Sequence, residues 1–218
     1  MRTRVKVCCV ASVEEMLRAS SLGADAIGLV SAMPSGPGVI GDDLIAEIAA
    51  AAPYGLRVFL LTSRTEPEKI AGQVRATGVD TVQLVSSLPD GGPLALRRLL
   101  PETQIVQVVH VTGESSVAQA VVAARDADEL LLDSGNPSAP LPELGGTGRV
   151  HDWALSRRIV EAAVQLTQAE EGFLALLDSS SGKFNLRAVK NIDENLIKTT
   201  RLPVQDSLIG VAIRSGRP

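Results

Sequence analysis

The sequence predicts an α/β protein: six strand–helix units in succession, followed by a shorter α+β segment. Three observations lead there. Apolar runs of strand length alternate with stretches whose apolar residues recur at three and four, the period of an amphipathic helix. Apolar residues make up 45% of the chain while aromatics are only 2%. A core of Val, Leu, Ile and Ala is thus expected, which suits a parallel sheet with helices on its faces. The alternation ends after Val160, where two short alternating runs flank Ser179-Ser180-Ser181-Gly182 in the manner of a hairpin.

The first strand is expected over Val5–Val10 and the first helix over Val13–Leu22. Ala26–Val30 reads as the second strand, followed by an Ala- and Ile-rich helix over Asp42–Ala52. Arg57–Thr62, Thr81–Val85, Gln104–Val111 and Glu129–Ser134 are the next four strands, separated by helices over Glu66–Thr77, Pro93–Leu100 and Ser115–Arg125. Gly23, Gly55 and Gly78 follow helices, where a left-handed residue closes the last turn. This spacing fits βαβ units. A doubly wound open sheet is one solution, but no GxGxxG follows the first strand. Polar residues gather instead at the C-terminal ends of strands: Cys8, Cys9, Ser31, Thr62, Gln83, His110 and Asp133. Barrels keep their reactive groups there. The expectation is a TIM (β/α)8-type barrel, represented by its first six βα units over residues 1–159. Residues 160–218 form a second segment, with helix Val160–Ala169, a hairpin of Gly172–Asp178 and Lys183–Asn191, a short helix or loop at Asn195–Thr200, and a short helix Ser207–Arg214 closed by Gly216.

Charge and hydropathy narrow the function classes. The net charge is −4 with both signs interspersed, so no basic patch invites nucleic acid and no polybasic tail invites an anionic membrane. The longest apolar runs are about 8 residues, against roughly 20 for a bilayer span. Met1-Arg2-Thr3-Arg4 leads straight into a strand, without the apolar stretch of a secretory signal. The two cysteines are neighbours, which on a strand point to opposite faces and form no disulfide. A cytoplasmic location is expected.

Three places carry chemistry. Lys6 and Cys8 alternate onto one face of the first strand, and an ammonium beside a thiol favours the thiolate, a competent general base. The plainer reading of Cys8 is a small apolar filler. Asp133 follows three leucines at the end of the sixth strand, where partial desolvation favours the acid form, although an acid in that position also serves as a loop or cap residue. Gly145, Gly146, Thr147 and Gly148 make a loop whose backbone amides can approach an anion. His110 reads either as a substrate contact or as a hydrogen-bonded core histidine. Trp153 is expected to pack at the start of its helix.

These residues stand in a wider pattern. Lys6-Val7-Cys8, the second-strand run Gly23-Ala24-Asp25-Ala26-Ile27-Gly28-Leu29-Val30, Val82-Gln83-Leu84, Leu131-Leu132-Asp133-Ser134, and Gly145-Gly146-Thr147-Gly148 with Asp152-Trp153 occur in the order found in phosphoribosylanthranilate isomerases. The stretch to Ile159 resembles that family. The resemblance implies an Amadori rearrangement in tryptophan biosynthesis, an aldose–ketose isomerisation that uses no cofactor and no metal. It implies Cys8 as the general base toward ribose C2 and Asp133 as the general acid toward the ring oxygen. It implies Lys6, Gln83, Gly145, Gly146, Thr147 and Gly148 as substrate-binding, with a small phosphorylated sugar-amine as substrate. A homodimer is left open.

Several positions depart from the family. Ser35-Gly36-Pro37-Gly38-Val39 stands where the family has Ser-Pro-Arg, whose arginine helps hold the anthranilate carboxylate. Cys9 replaces the glycine after the catalytic cysteine, and Val85 replaces a histidine. The Gly-Gly-Leu and Ser-Ser-Gly phosphate elements of the family's last two units do not occur, since Ser179–Gly182 sits in a hairpin. Ala169–Asp178, Pro203–Gly210 and Ser215–Pro218 instead resemble the beginning of a GAF domain, cut short at Pro218. That resemblance implies the alternative of a non-catalytic, ligand-sensing or dimerising signalling protein.

Overall fold

In the computed structural model, residues 4–89, 91–145, 149–167, 172–178 and 183–190 are described. Six parallel strands form one sheet in the order of the chain: β1 (Lys6–Cys8), β2 (Ala26–Val30), β3 (Arg57–Thr62), β4 (Thr81–Leu84), β5 (Gln104–His110) and β6 (Glu129–Asp133). The helices between and after them are α1 (Val13–Ser21), α2 (Asp42–Ala50), α3 (Pro67–Thr77), α4 (Gly92–Leu99), α5 (Ser115–Ala123) and α6 (Trp153–Thr167). The expected strands and helices of the six units are all present, with ends that differ by a residue or two except in β1, which is three residues shorter, while α6 begins at Trp153 rather than Val160. Ser12 caps α1 by accepting from the Glu15 amide at 3.1 Å, and Gly78 closes α3 at φ +68°.

Alternation along each strand sorts its side chains. Ile27 and Leu29, Val58 and Leu60, and Val82 and Leu84 join Ile45, Ile48, Ile70 and Leu96 of the helices in one apolar layer. Val109, Leu130 and Leu132 meet α5 and α6 around Ala120, Leu155 and Ile159. The opposite face carries Ala26, Val30, Phe59, Leu61, Val85, Val106, Val108 and Leu131.

Side-chain contacts across this second face show that it is concave. The Lys6 ammonium donates to Gln83 Oε1, joining β1 to β4, and Arg57 on β3 pairs with Glu129 on β6 at 2.8 Å. Three strand spacings in a flat sheet amount to about 14 Å, beyond the reach of one lysine. The six units therefore curve into a half-barrel, as the barrel expectation requires.

The start of the sheet is braced by a repeated device. Asp25 accepts from the Val5 amide at 2.8 Å, Asp80 from the Val58 amide at 3.2 Å, and Asp128 from the Ile105 amide at 2.7 Å. Each aspartate directly precedes an even-numbered strand and accepts from an amide at or next to the start of the strand before it. The backbone carbonyls of Asp25 and Asp80 accept in turn from Arg57 and Gln104 of the next strand, at 3.1 and 3.0 Å.

After α6 come β7 (Gly172–Asp178) and β8 (Lys183–Lys190), an antiparallel pair that forms its own two-stranded sheet. The expected hairpin is therefore present. Among the described residues neither strand joins the parallel sheet, whose edges are β1 and β6. Helix α6 runs unbroken through position 159, where the sequence suggested a junction. The segments expected at Asn195–Thr200 and Ser207–Arg214 lie outside the described residues. No described helix is long and apolar enough to cross a membrane.

Candidate active site

Cys8 ends β1 on the concave face, two residues above Lys6. Its thiol is exposed, and the register places it beside Gly28. A Cβ on Gly28 would lie 2.7 Å from Cys8 Sγ, so only glycine leaves the thiol its position. Lys6 sits below, its ammonium 4.3 Å from the centre of the Phe59 ring. Burial pushes the Lys6 pKa below the ordinary lysine range; the neighbouring Cys8 pushes it back up, by charge and by hydrogen bond. Lys6 and Cys8 thus share the concave face, and Gln83 accepts from the lysine.

Cys9 explains itself by its backbone. It is the one described non-glycine residue with positive φ, +60°. The resemblance puts glycine there, and the left-handed conformation is the reason. Cysteine tolerates it at a cost of about 1–2 kcal/mol, with Gly38 leaning in from the loop after β2. A Cβ at Gly38 would stand 2.5 Å from the Cys9 Cβ. Burial raises the Cys9 thiol pKa, and the adjacent Cys8 adds to the rise.

Asp133 ends β6 on the same concave face as Cys8. Its Oδ1 accepts from the Gly135 amide at 2.6 Å. Gly145, at φ +140°, brings its backbone against the carboxylate: a Cβ there would be 3.3 Å from Oδ2. Of the predicted Gly-rich loop, Gly145 is therefore placed next to the acid, while Gly146, Thr147 and Gly148 lie outside the described residues. Other strand-end polar residues have structural partners. Thr62 faces outward to Gln73 on α3 at 3.0 Å, and the buried Ser31 hydroxyl donates to the Leu61 carbonyl at 2.8 Å.

Both histidines of the chain lie near Asp133. His110 Nδ1 is 3.9 Å from Asp133 Oδ1. His151 packs against Trp153 with ring centroids 4.2 Å apart and planes tilted by 54°, and meets Ser156 Oγ at 2.7 Å. Burial lowers the His151 pKa, against the opposing charges of Asp133 and Asp152. The sequence signal for His110 was its parity with Val106 and Val108, which fixes its face; nothing in the sequence marked His151. Among the described residues, no cluster of three His, Cys, Asp or Glu side chains could hold a metal ion.

A half-barrel of parallel βα units, with a thiol and a carboxylate at the C-terminal rim, defines a protein of the βα-barrel class. Known proteins specify it further. The chain is 33% identical over 159 residues to N-(5'-phosphoribosyl)anthranilate isomerase 2 of Methanosarcina mazei, covering 72% of this chain and 70% of that relative. The crystal structure of phosphoribosyl anthranilate isomerase from Thermotoga maritima superposes with a TM-score of 0.60 at 25% identity, covering 74% of this chain and 73% of that one. A phosphoribosyl anthranilate isomerase in complex with reduced 1-(o-carboxyphenylamino)-1-deoxyribulose 5-phosphate shares the fold with a TM-score of 0.55 at 21% identity, covering 77% of this chain and 84% of that one. No family model matches the chain. The chain belongs to the phosphoribosylanthranilate isomerase family.

Proposed function

We propose that this chain catalyses the Amadori rearrangement of phosphoribosylanthranilate to the corresponding carboxyphenylamino-deoxyribulose phosphate, in tryptophan biosynthesis. The observation that carries the reading is the pairing of Cys8 and Asp133, both at strand ends on one concave face. Asp133 gives a proton to the ring oxygen as the furanose opens, and the amine lone pair forms the imine. Cys8, as thiolate, takes the proton from ribose C2, and the enamine then relaxes to the ketone. Proton transfers alone suffice, so no cofactor enters. Lys6 and Gln83 position the floor of the pocket, Gly145 brings its backbone close to the acid, and the resemblance assigns Gly146, Thr147 and Gly148 to substrate binding. The absence of an arginine in Ser35–Val39 predicts weak binding of the anthranilate carboxylate. Conversion of phosphoribosylanthranilate by the full chain, lost in Cys8→Ala and in Asp133→Asn, is the expected result. A folded wild type without turnover would refute the reading.

The separate β7–β8 sheet favours a second role for residues 160–218, as a GAF-like ligand-sensing or dimerising segment that leaves the isomerase module at residues 1–159. Light scattering of the full chain tests this: a homodimer supports it, and a strict monomer that binds no small ligand counts against it.

A further inference from the structure

We propose that His110 and Asp133 share one proton, and that His110 thereby keeps the carboxyl supplied for its role as acid. This deepens the isomerase reading and rests on it for the catalytic step.

The geometry leads there in three steps. His110 is nine-tenths buried at the end of β5, and the sheet register pairs it directly with Asp133. Its Nε2 lies 3.0 Å from the Val85 carbonyl oxygen. A carbonyl only accepts, so Nε2 carries a hydrogen and donates it. The remaining ring nitrogen, Nδ1, is buried, makes no hydrogen bond and points toward Asp133 Oδ1 at 3.9 Å. In a neutral ring that nitrogen is a lone pair facing a carboxylate: two acceptors and no proton between them, in a desolvated place. A single added proton resolves the conflict, on Nδ1 as an ion pair or on the carboxyl as a donor to Nδ1. The gap is about 1 Å beyond hydrogen-bond contact, and Oδ1 meanwhile accepts from the Gly135 amide at 2.6 Å.

The Gly135 amide shares Asp133 Oδ1 with this pair. On β4, Gln83 and Val85 do not titrate, and from α5 the Ser116 hydroxyl donates to the His110 carbonyl at 3.0 Å. Asp126, after α5, lines a cavity of about 480 Å³ that also touches His110. His151 is the other titratable group in the field of Asp133. In turnover the shared proton leaves the carboxyl for the substrate ring oxygen as the carbon–oxygen bond breaks with its electron pair. The pair is left as neutral His110 and ionised Asp133, and solvent returns the proton. His110 is thus a positioning residue that acts through Asp133.

Two substitutions separate its contacts. His110→Gln keeps a donor for the Val85 carbonyl and removes the group that faces Asp133. His110→Asn keeps an amide near the Nδ1 position and gives up Val85. We expect kcat to fall about a hundredfold in His110→Gln, the lower end of what a positioned acid contributes, with KM little changed. The alkaline fall of its kcat profile should move toward acid pH. His110→Asn should recover part of the rate. Independently of turnover, ¹⁵N spectra of the histidine side chains in the full chain should show His110 holding its Nδ1 proton to higher pH than it does in Asp133→Asn. The His151→Gln variant assigns the signals. Superimposable His110 titrations in the wild type and Asp133→Asn would overturn the shared proton whatever the turnover. A His110→Gln enzyme within twofold of wild type and with an unmoved profile would overturn its catalytic part. A coupled pair in a wild type that never converts substrate would instead sink the isomerase reading and uphold the pair.

Discussion

Alanine at position 28 would bring a methyl group into the space of the Cys8 thiol, and the structure separates what this does to stability from what it does to rate. The new Cβ would lie 2.7 Å from Cys8 Sγ, 3.2 Å from Leu61 Cδ1 and 3.3 Å from Cys8 Cα. Ordinary contact is about 3.5–4.0 Å, so the sulfur must retreat by about 1 Å while Leu61 gives a few tenths. Cys8 is exposed and turns on a single torsion. Leaving its rotamer costs about 1 kcal/mol, or roughly 3 °C in Tm for a chain of this size. On the proposed role of Cys8 the rate is far more sensitive, since a general base displaced by about 1 Å costs on the order of a hundredfold. Urea denaturation and phosphoribosylanthranilate turnover of Gly28→Ala, measured side by side, test the argument. In a Cys8→Ala background the same substitution should cost less stability, because the sulfur it collides with is gone. Turnover within threefold of wild type would refute the close-approach argument. So would an undiminished stability cost in the double variant.

Other consequences can be measured on the same samples. Gly38→Ala combines a left-handed φ of +77° with a 2.5 Å approach to the Cys9 Cβ, and should lower stability by about 2–3 kcal/mol. Cys9→Gly in the same chain should return the steric share of that loss, read as a positive coupling in a double-mutant cycle. Asp80→Ala leaves the Val58 amide without its side-chain acceptor and should cost about 1–3 kcal/mol. Faster hydrogen exchange at Val58 would accompany it. For His151 the sign follows from its depressed pKa. The unfolded chain takes up the proton first as pH falls below 6.5, so this residue withdraws stability between 6.5 and its lower folded value. The urea midpoint should therefore fall less steeply on acidification in His151→Gln than in the wild type.

Much of the sheet was legible in the sequence because its strands are short apolar runs between helical periods, and because side-chain parity assigns faces without further information. Parity alone put Lys6 with Cys8, whereas the pairing of His110 with Asp133 came from the sheet register. What could not be read was distance across the curve. Lys6 meeting Gln83 depends on closure of the sheet, which no local pattern encodes. Gln83 was expected at the site through the resemblance, and the structure gives it a physical task, holding a buried lysine. Thr62 was grouped with the rim because it ends a strand, yet its parity sends it outward to Gln73. Cys9 carried a visible anomaly, a cysteine where glycine belongs, but its meaning came only with its φ value. His151 follows a loop, and no periodicity brings a loop residue beside a strand end.

The aspartates at the start of the even strands also bear on how acids in this sequence are to be ranked. Asp25, Asp80 and Asp128 are carboxylates beside apolar strands, as Asp133 is, and their removal would depress activity in any assay that does not count folded molecules. Position along the strand tells them apart. An acid that precedes a strand braces the floor, where it accepts an amide of the neighbouring strand. An acid that closes a strand stands at the mouth, where Asp133 accepts from the Gly135 amide. Activity normalised to folded protein should therefore survive substitution of the first three and fail at the fourth. The two ends of this half-barrel can then accept mutations under separate accounts, one of folding and one of rate.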